Sequence, residues 1–220
     1  MGESYKLNIA LTPEQLDLLA GSQIAIAKSG AEKPNVVWQA LRPIEELTMT
    51  WEENYGIYAT ETELKGGAKI VSTARVKGDA INGEEYALVK NGFFVPQQNV
   101  GDPSSYFGRN QYTEETPMGF GLTQTAELTG SGTALPPNPI SYASVLPGNL
   151  ATMTPFTTLY VWIQSSVLGG SVVTQVTSPQ LVVPYGGGVN EHELIYKKGK
   201  FEFKGKTSGL TVETFEPAYY

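Results

Sequence analysis

The sequence predicts an all-β fold: a single β-sandwich of about a dozen short antiparallel strands with one short N-terminal helix. Three observations carry that expectation. Short runs of β-forming residues recur, with turn residues about every 8–12 positions. The dipeptides Asn82-Gly83 and Asn91-Gly92 suit hairpin turns, because both residue types tolerate positive φ. Only one segment reads as helix. A chain of 220 residues, 40% hydrophobic, is long enough to bury a core as one domain spanning 1–220.

The helix is marked by its start. Thr12 is an N-cap, Pro13 takes the first helical position, and Gln15 completes a capping box. Leu16 to Ala20 follow, and Gly21 is placed to end the helix in a left-handed conformation. Two turns are too short to stand alone, so this helix must pack on something.

Strands follow in order. Residues 23–28, 35–41, 48–51, 55–59 and 68–76 form the first group, and the two Asn-Gly turns bracket 86–89. Residues 93–95 and 119–128 come next, then 157–164, 171–177, 181–183, 194–196, 201–203 and 210–215. Two stretches read as long loops, 96–117 and 130–155. The second carries Pro136, Pro137, Pro139, Pro147 and Pro155, each without the N–H that a strand ladder needs.

Composition excludes several functions. There is no cysteine, hence no disulfide, zinc–thiolate site, iron–sulfur cluster or thiol nucleophile. The single histidine, His192, excludes multi-histidine metal centres, and no metal or other cofactor is expected. A formal charge of −7 argues against nucleic acid as a partner. No apolar run approaches the roughly 18 residues of a transmembrane helix. The N-terminus lacks a signal-peptide pattern, and no Asn-x-Ser/Thr sequon occurs, so a cytoplasmic protein, or one released without a signal peptide, is expected.

The motifs that suggest catalysis are weak. Gly199 to Thr207 approximates a phosphate loop but has five residues between its glycines and no following helix signal. It reads better as a basic hairpin with a solvated lysine face. Glu191-His192-Glu193 reads as an exposed polar strand end, the glutamates on one face and His192 on the other. No nucleophile elbow is present, and the adjacent acid pairs Glu52/Glu53, Glu84/Glu85 and Glu114/Glu115 point to opposite strand faces. No catalytic residue is assigned. A hydrolase would need carboxylates converging from separate loops.

Aromatic residues point instead to binding. Tyr106-Phe107-Gly108-Arg109-Asn110-Gln111-Tyr112 combines rings, amides and the only basic residue between Lys90 and Lys197. Tyr106, Arg109 and Tyr112 are the candidate ligand-binding residues, through stacking, cation–π contact and an anion clamp. The competing reading has this loop folded over the core with Arg109 paired to Asp102 or Glu114. Trp38, Trp51 and Trp162 lie in apolar runs and read as core.

The N-terminal helix, the wealth of Tyr and Trp and the lack of cysteine are shared with a known group. So is the Trp/Tyr pattern from Val36-Val37-Trp38 through Trp51 to Ala59. In these the chain resembles actinoporin-like cytolysins and fungal fruit-body lectins. It departs from actinoporins in its acidity, with a sequence pI near 4.8, and in its short helix. The resemblance implies a β-sandwich with a defence or toxin role.

The expected function is therefore a non-catalytic binding protein recognising a glycan or lipid headgroup through aromatic loops. The alternatives are a self-assembling structural or storage protein without a small ligand, and a hydrolase. From Leu128 to Asn190 no Lys, Arg, Asp or Glu occurs, which makes residues 128–190 the expected surface of a homo-oligomer.

Overall fold

The computed structural model describes residues 3–29, 34–76, 78–99, 101–112, 116–129, 132–173, 176–205 and 214–215. Strands make up 54% of it and helix 3%, so the all-β class holds. In chain order the elements are β1 (Ser4–Ala10), α1 (Pro13–Leu18), β2 (Ser22–Lys28), β3 (Val36–Leu41), β4 (Glu46–Glu52), β5 (Gly56–Thr60) and β6 (Ala74–Arg75). Then come β7 (Glu84–Val89), β8 (Phe94–Asn99), β9 (Tyr106–Gln111), β10 (Met118–Leu128), β11 (Thr133–Pro139), β12 (Ala143–Val145) and β13 (Leu150–Met153). The last six are β14 (Leu159–Ser165), β15 (Ser171–Val172), β16 (Gln180–Val183), β17 (Glu191–Lys197), β18 (Lys200–Phe203) and β19 (Thr214–Phe215).

These strands form three sheets. The largest runs β18-β17-β1-β4-β10-β5-β6, with β11 and β12 also on β10. A second runs β13-β9-β7-β8 and a third β15-β3-β2-β14-β16-β19. Nineteen described strands in three sheets replace the expected dozen in a plain sandwich. The expected antiparallel order is also incomplete, because β1 pairs β17 in parallel and β7 pairs β9 in parallel.

The long strand β10 organises the largest sheet. Thr123 pairs Gly56 on one edge and Pro139 on the other, and Leu128 likewise pairs Met49 and Thr133. So β5 and β4 follow one another along one edge, while β12 and β11 share the opposite edge. The two expected loops thus contain strands. Residues 96–117 hold most of β8 and all of β9, and 130–155 hold β11, β12 and β13. Three prolines are tolerated in β11 because it is an edge strand, with β10 its only neighbour among the described residues. Conversely, only Ala74–Arg75 of the expected strand 68–76 is paired as one.

One apolar cluster runs through all three sheets. It takes Leu7, Met49 and Trp51 from the largest, Ile24, Trp38 and Val161 from the third, and Tyr86, Leu88 and Tyr106 from the second. The third sheet is buried on both faces. Alternation sends Ile24 and Ile26 inward, while Ala25, Ala27, Tyr160 and Trp162 form a separate cluster on the far face under Val167, Val173 and Val176. All three tryptophans are core, as expected.

Local signals at the N-terminus hold. The Gln15 N–H donates to Thr12 Oγ1 at 3.4 Å and the Thr12 N–H donates to Gln15 Oε1 at 2.9 Å. The helix is tied down by Gln15 Nε2 donating to the Tyr196 carbonyl. Turn chemistry differs from expectation. Neither Asn82 nor Asn91 has positive φ; only Gly83 and Gly92 do. Asn91-Gly92 does close the β7–β8 hairpin, but as a longer connection in which the Gly92 N–H donates to the Val89 carbonyl. A turn with two positive φ values occurs instead at Lys198 (+50°) and Gly199 (+84°), between β17 and β18.

Candidate functional site

A cleft of about 490 Å³ opens between the segment that follows β6 and the β7–β8 hairpin. That size falls within the roughly 300–1,000 Å³ of small-ligand sites. Its position follows from local structure. Pairing of Arg75 with Tyr58 fixes one wall at the edge of the largest sheet. Across the cleft, the turn at Gly92 delivers two phenylalanines, both of which line it. Phe94 packs edge-on against Phe120, with ring centroids 5.9 Å apart, and anchors the hairpin. Phe93 is left 64% exposed.

Tyr86 forms the floor and links the walls. Its oxygen accepts from the Ile81 N–H at 2.9 Å, and its hydroxyl donates to Glu84 Oε2 at 3.3 Å. Burial is the main cause holding its pKa above the ordinary tyrosine value. Arg75 and Asp79 face the cleft with no hydrogen-bond or ion-pair partner among the described residues. An exposed ring, a guanidinium and two carboxylates therefore surround one opening. Rings of this kind stack on flat apolar faces, while forked guanidinium and carboxylate groups bridge neighbouring hydroxyls.

The residues singled out by sequence lie elsewhere and do not meet on one surface. Strand alternation along β9 puts Tyr106 on the inner face, where it is buried edge-on against Tyr55, 5.7 Å between centroids. Arg109 faces outward. Its Nε and Nη2 donate to the two Glu85 oxygens at 2.5 and 2.9 Å, and Nη1 donates to the Gly148 carbonyl. Tyr112 packs partly buried against the core. The expected partner Asp102 instead caps its own turn through Ser104, and Glu114 lies outside the described residues.

His192 corrects another expectation. It does alternate with Glu191 and Glu193, but it is buried rather than exposed. Its Nε2 lies 2.7 Å from the Pro184 carbonyl, and Tyr185 and Phe203 flank the ring. Among the described residues no three His, Asp or Glu side chains gather as a metal site would require. The basic hairpin is present as β17–β18, with Lys204 paired to Glu193, while Lys206 and Thr207 lie outside the described residues. Among the described residues no helix is long and apolar enough to cross a membrane.

No protein-family model, curated protein or solved structure matches this chain. The cleft's own chemistry is therefore the guide to function. Sequence reasoning passed over Phe93, although a turn dipeptide followed by two phenylalanines is a local signal. Phe93 directly precedes β8, whose first residue Phe94 takes the packed position against Phe120.

Proposed function

We propose that this protein is a non-catalytic glycan-binding protein whose site is the Phe93 cleft. One observation carries the reading: an exposed phenylalanine shares a cleft with an arginine and an aspartate that have no partner among the described residues. Burying a sugar face on Phe93 removes apolar surface from water, while Arg75, Asp79 and Glu84 supply directed hydrogen bonds. A lipid headgroup is the weaker ligand, because a surface of net charge −7 is repelled by anionic membranes. Hydrolysis is the weaker reading because a general acid needs a carboxyl sheltered from water, whereas Asp79 is exposed and the half-buried Glu84 is held as an acceptor by the Tyr86 hydroxyl. The defence or toxin role implied by the resemblance rests on this same binding.

A glycan array run beside liposome sedimentation tests the proposal. A defined glycan set should bind, and Phe93→Ala should weaken that binding about tenfold, the equivalent of about 1.4 kcal/mol. Binding unchanged in a folded Phe93→Ala, Arg75→Ala variant moves the site elsewhere. Silence on both the array and the liposomes favours the self-assembling alternative.

The homo-oligomer belongs to the same proposal. Leu146, Phe156, Leu168 and Val189 are exposed within the charge-free stretch 128–190, where no charge must be desolvated on contact.

A further inference from the structure

The Phe93 cleft has neighbours. A second cleft of about 230 Å³ adjoins it at the segment after β6, and Arg75, Val76 and Asp79 form part of the wall of both. A third, of about 390 Å³, shares Asn54 and Thr125 with the second. The three openings therefore follow one another in series. Backbone anchors fix the wall between the first two. The Val76 N–H donates to the Ile57 carbonyl at 2.9 Å, and the Ala80 N–H donates to the Tyr55 carbonyl at 2.8 Å. Between those anchors Gly78 and Asp79 are exposed, and the space beside Gly78, which has no side chain, is open.

Strand alternation gives the second and third clefts their chemistry. On β10, Leu122 and Ala126 belong to the apolar cluster, so Thr125 and Glu127 face away from it. On β4, Met49 and Trp51 belong to it, so Thr50 and Glu52 face away. Thr50 pairs Glu127, which sets the outward side chains of the two strands beside each other. The hydroxyls of Ser4, Thr50 and Thr125 have no hydrogen-bond partner among the described residues. Asn54 donates to Glu52 Oε2 at 3.2 Å, and its own side-chain oxygen stays open as an acceptor. Among the described residues that line the three clefts, the one cation, Arg75, stands against Asp79, Glu84, Glu52 and Glu127. Such a surface takes sugar hydroxyls through hydroxyl, amide and carboxylate groups, and it repels a polyanion.

We propose that the ligand is an internal stretch of a linear, neutral polysaccharide, laid across the three clefts with Phe93 at one end. This rests on the glycan reading of the Phe93 cleft and names the kind of glycan. One sugar unit stacks on Phe93. Arg75 and Asp79 reach units on both sides of the wall they form, and Asn54, Thr125 and the Glu52/Glu127 carboxylates hold the far units. A single sugar occupies one cleft only, whereas a chain gathers the contacts of all three. Translational freedom is lost once however many units are held, so each further unit adds affinity.

The test is calorimetric titration with neutral gluco-, manno- and xylo-oligosaccharide ladders, disaccharide to octasaccharide, with oligogalacturonides as the acidic control. In the bound series, affinity should rise at least about tenfold from the disaccharide to the octasaccharide. Oligogalacturonides should not bind at low salt. In Asn54→Ala, Thr125→Val the octasaccharide should fall to the affinity of the disaccharide, whereas Phe93→Ala should weaken short and long chains alike. Affinity that does not grow with length, or growth that survives in the folded Asn54→Ala, Thr125→Val variant, overturns the polysaccharide and leaves the Phe93 cleft as a site for short glycans. Silence of every ladder beside a hit on the glycan array also overturns this proposal alone. Silence on both overturns the glycan reading itself. If the double variant does not fold, the length dependence of the unmodified protein decides.

Discussion

Lys28 holds its proton up to about pH 10.4 in an unfolded chain but only to about 7 in the folded one. Between those values the unfolded state binds more protons, so stability rises with pH from 7 to about 10 and gains nothing from this group below 7. The size is on the order of 4 kcal/mol across that window. Tyr5, Tyr55, Tyr58 and Tyr185 act in the opposite sense, because burial raises all four. Their contribution is intact below about pH 10 and is lost above it, as unfolded phenols ionise first. Urea unfolding between pH 6 and 10.5 should therefore show a maximum near pH 10. In Lys28→Met the rise should vanish and stability at pH 7 should increase; a slope unchanged in that variant refutes the assignment. Glu85 is a second residue-scale test. It is nearly buried beneath Arg109, and Glu85→Ala leaves the guanidinium without its carboxylate. The expected loss is about 2 kcal/mol, below the range for fully buried pairs because Arg109 is partly solvated.

Two elements depend on individual backbone positions. In β10 the backbone at Gly121 lies against the segment that follows β11, where the Ile140 N–H donates to the Leu122 carbonyl at 2.9 Å. A methyl at Gly121 would collide with the Ser141 carbonyl oxygen and would sit 2.6 Å from the Tyr58 ring. Gly121→Ala should cost at least the 1–3 kcal/mol, in round terms about 2, that overpacking imposes. Calorimetry should show a lowered Tm with the all-β circular dichroism retained. The β17–β18 turn works the other way. Lys198 holds a left-handed conformation that costs an ordinary residue roughly 1 kcal/mol, and Asn tolerates it better. Lys198→Asn should raise Tm by about 1–3 °C, given about 2–4 °C per kcal/mol at this chain length.

Across the whole molecule, the parallel pairing of β1 with β17 brings together segments from opposite ends of the sequence. Such distant pairing closes the fold late and makes folding slow, in the millisecond-to-second range typical of non-local β topologies, about 1 ms or longer. Truncation before Glu191 should bare the edge of β1 and give an aggregation-prone product in size-exclusion chromatography. The charge-free stretch is distributed over all three sheets, and part of it covers the outer face of the third. What remains exposed should carry the oligomer. Light scattering is expected to give a mass above the 23.8 kDa of one chain, unchanged by high salt because few charges are there to screen. A monomer at tens of micromolar ends that reading.

Features set by neighbours in sequence were legible in the sequence alone. The capping box of α1 needs only Thr12 and Gln15, and the all-β class needs only repeated short runs and turns. β1 is equally legible, since Tyr5, Leu7 and Ile9 alternate with Lys6 and Asn8. The edge strand β11 was not, because its prolines argue against a strand until a single-sided partner is known. Alternation says that Tyr106 and Arg109 face opposite ways, but not which way is in. That was decided when the inner face of β9 met Tyr55 and the outer face met Glu85. Lys28 is the extreme case: a charged residue at a strand end ordinarily reads as solvated. Only the packing of β2 against Trp51, across the gap between sheets, removes its water and lowers its pKa. Periodicity is a property of a few adjacent residues, whereas burial is a property of whatever distant chain arrives to cover them.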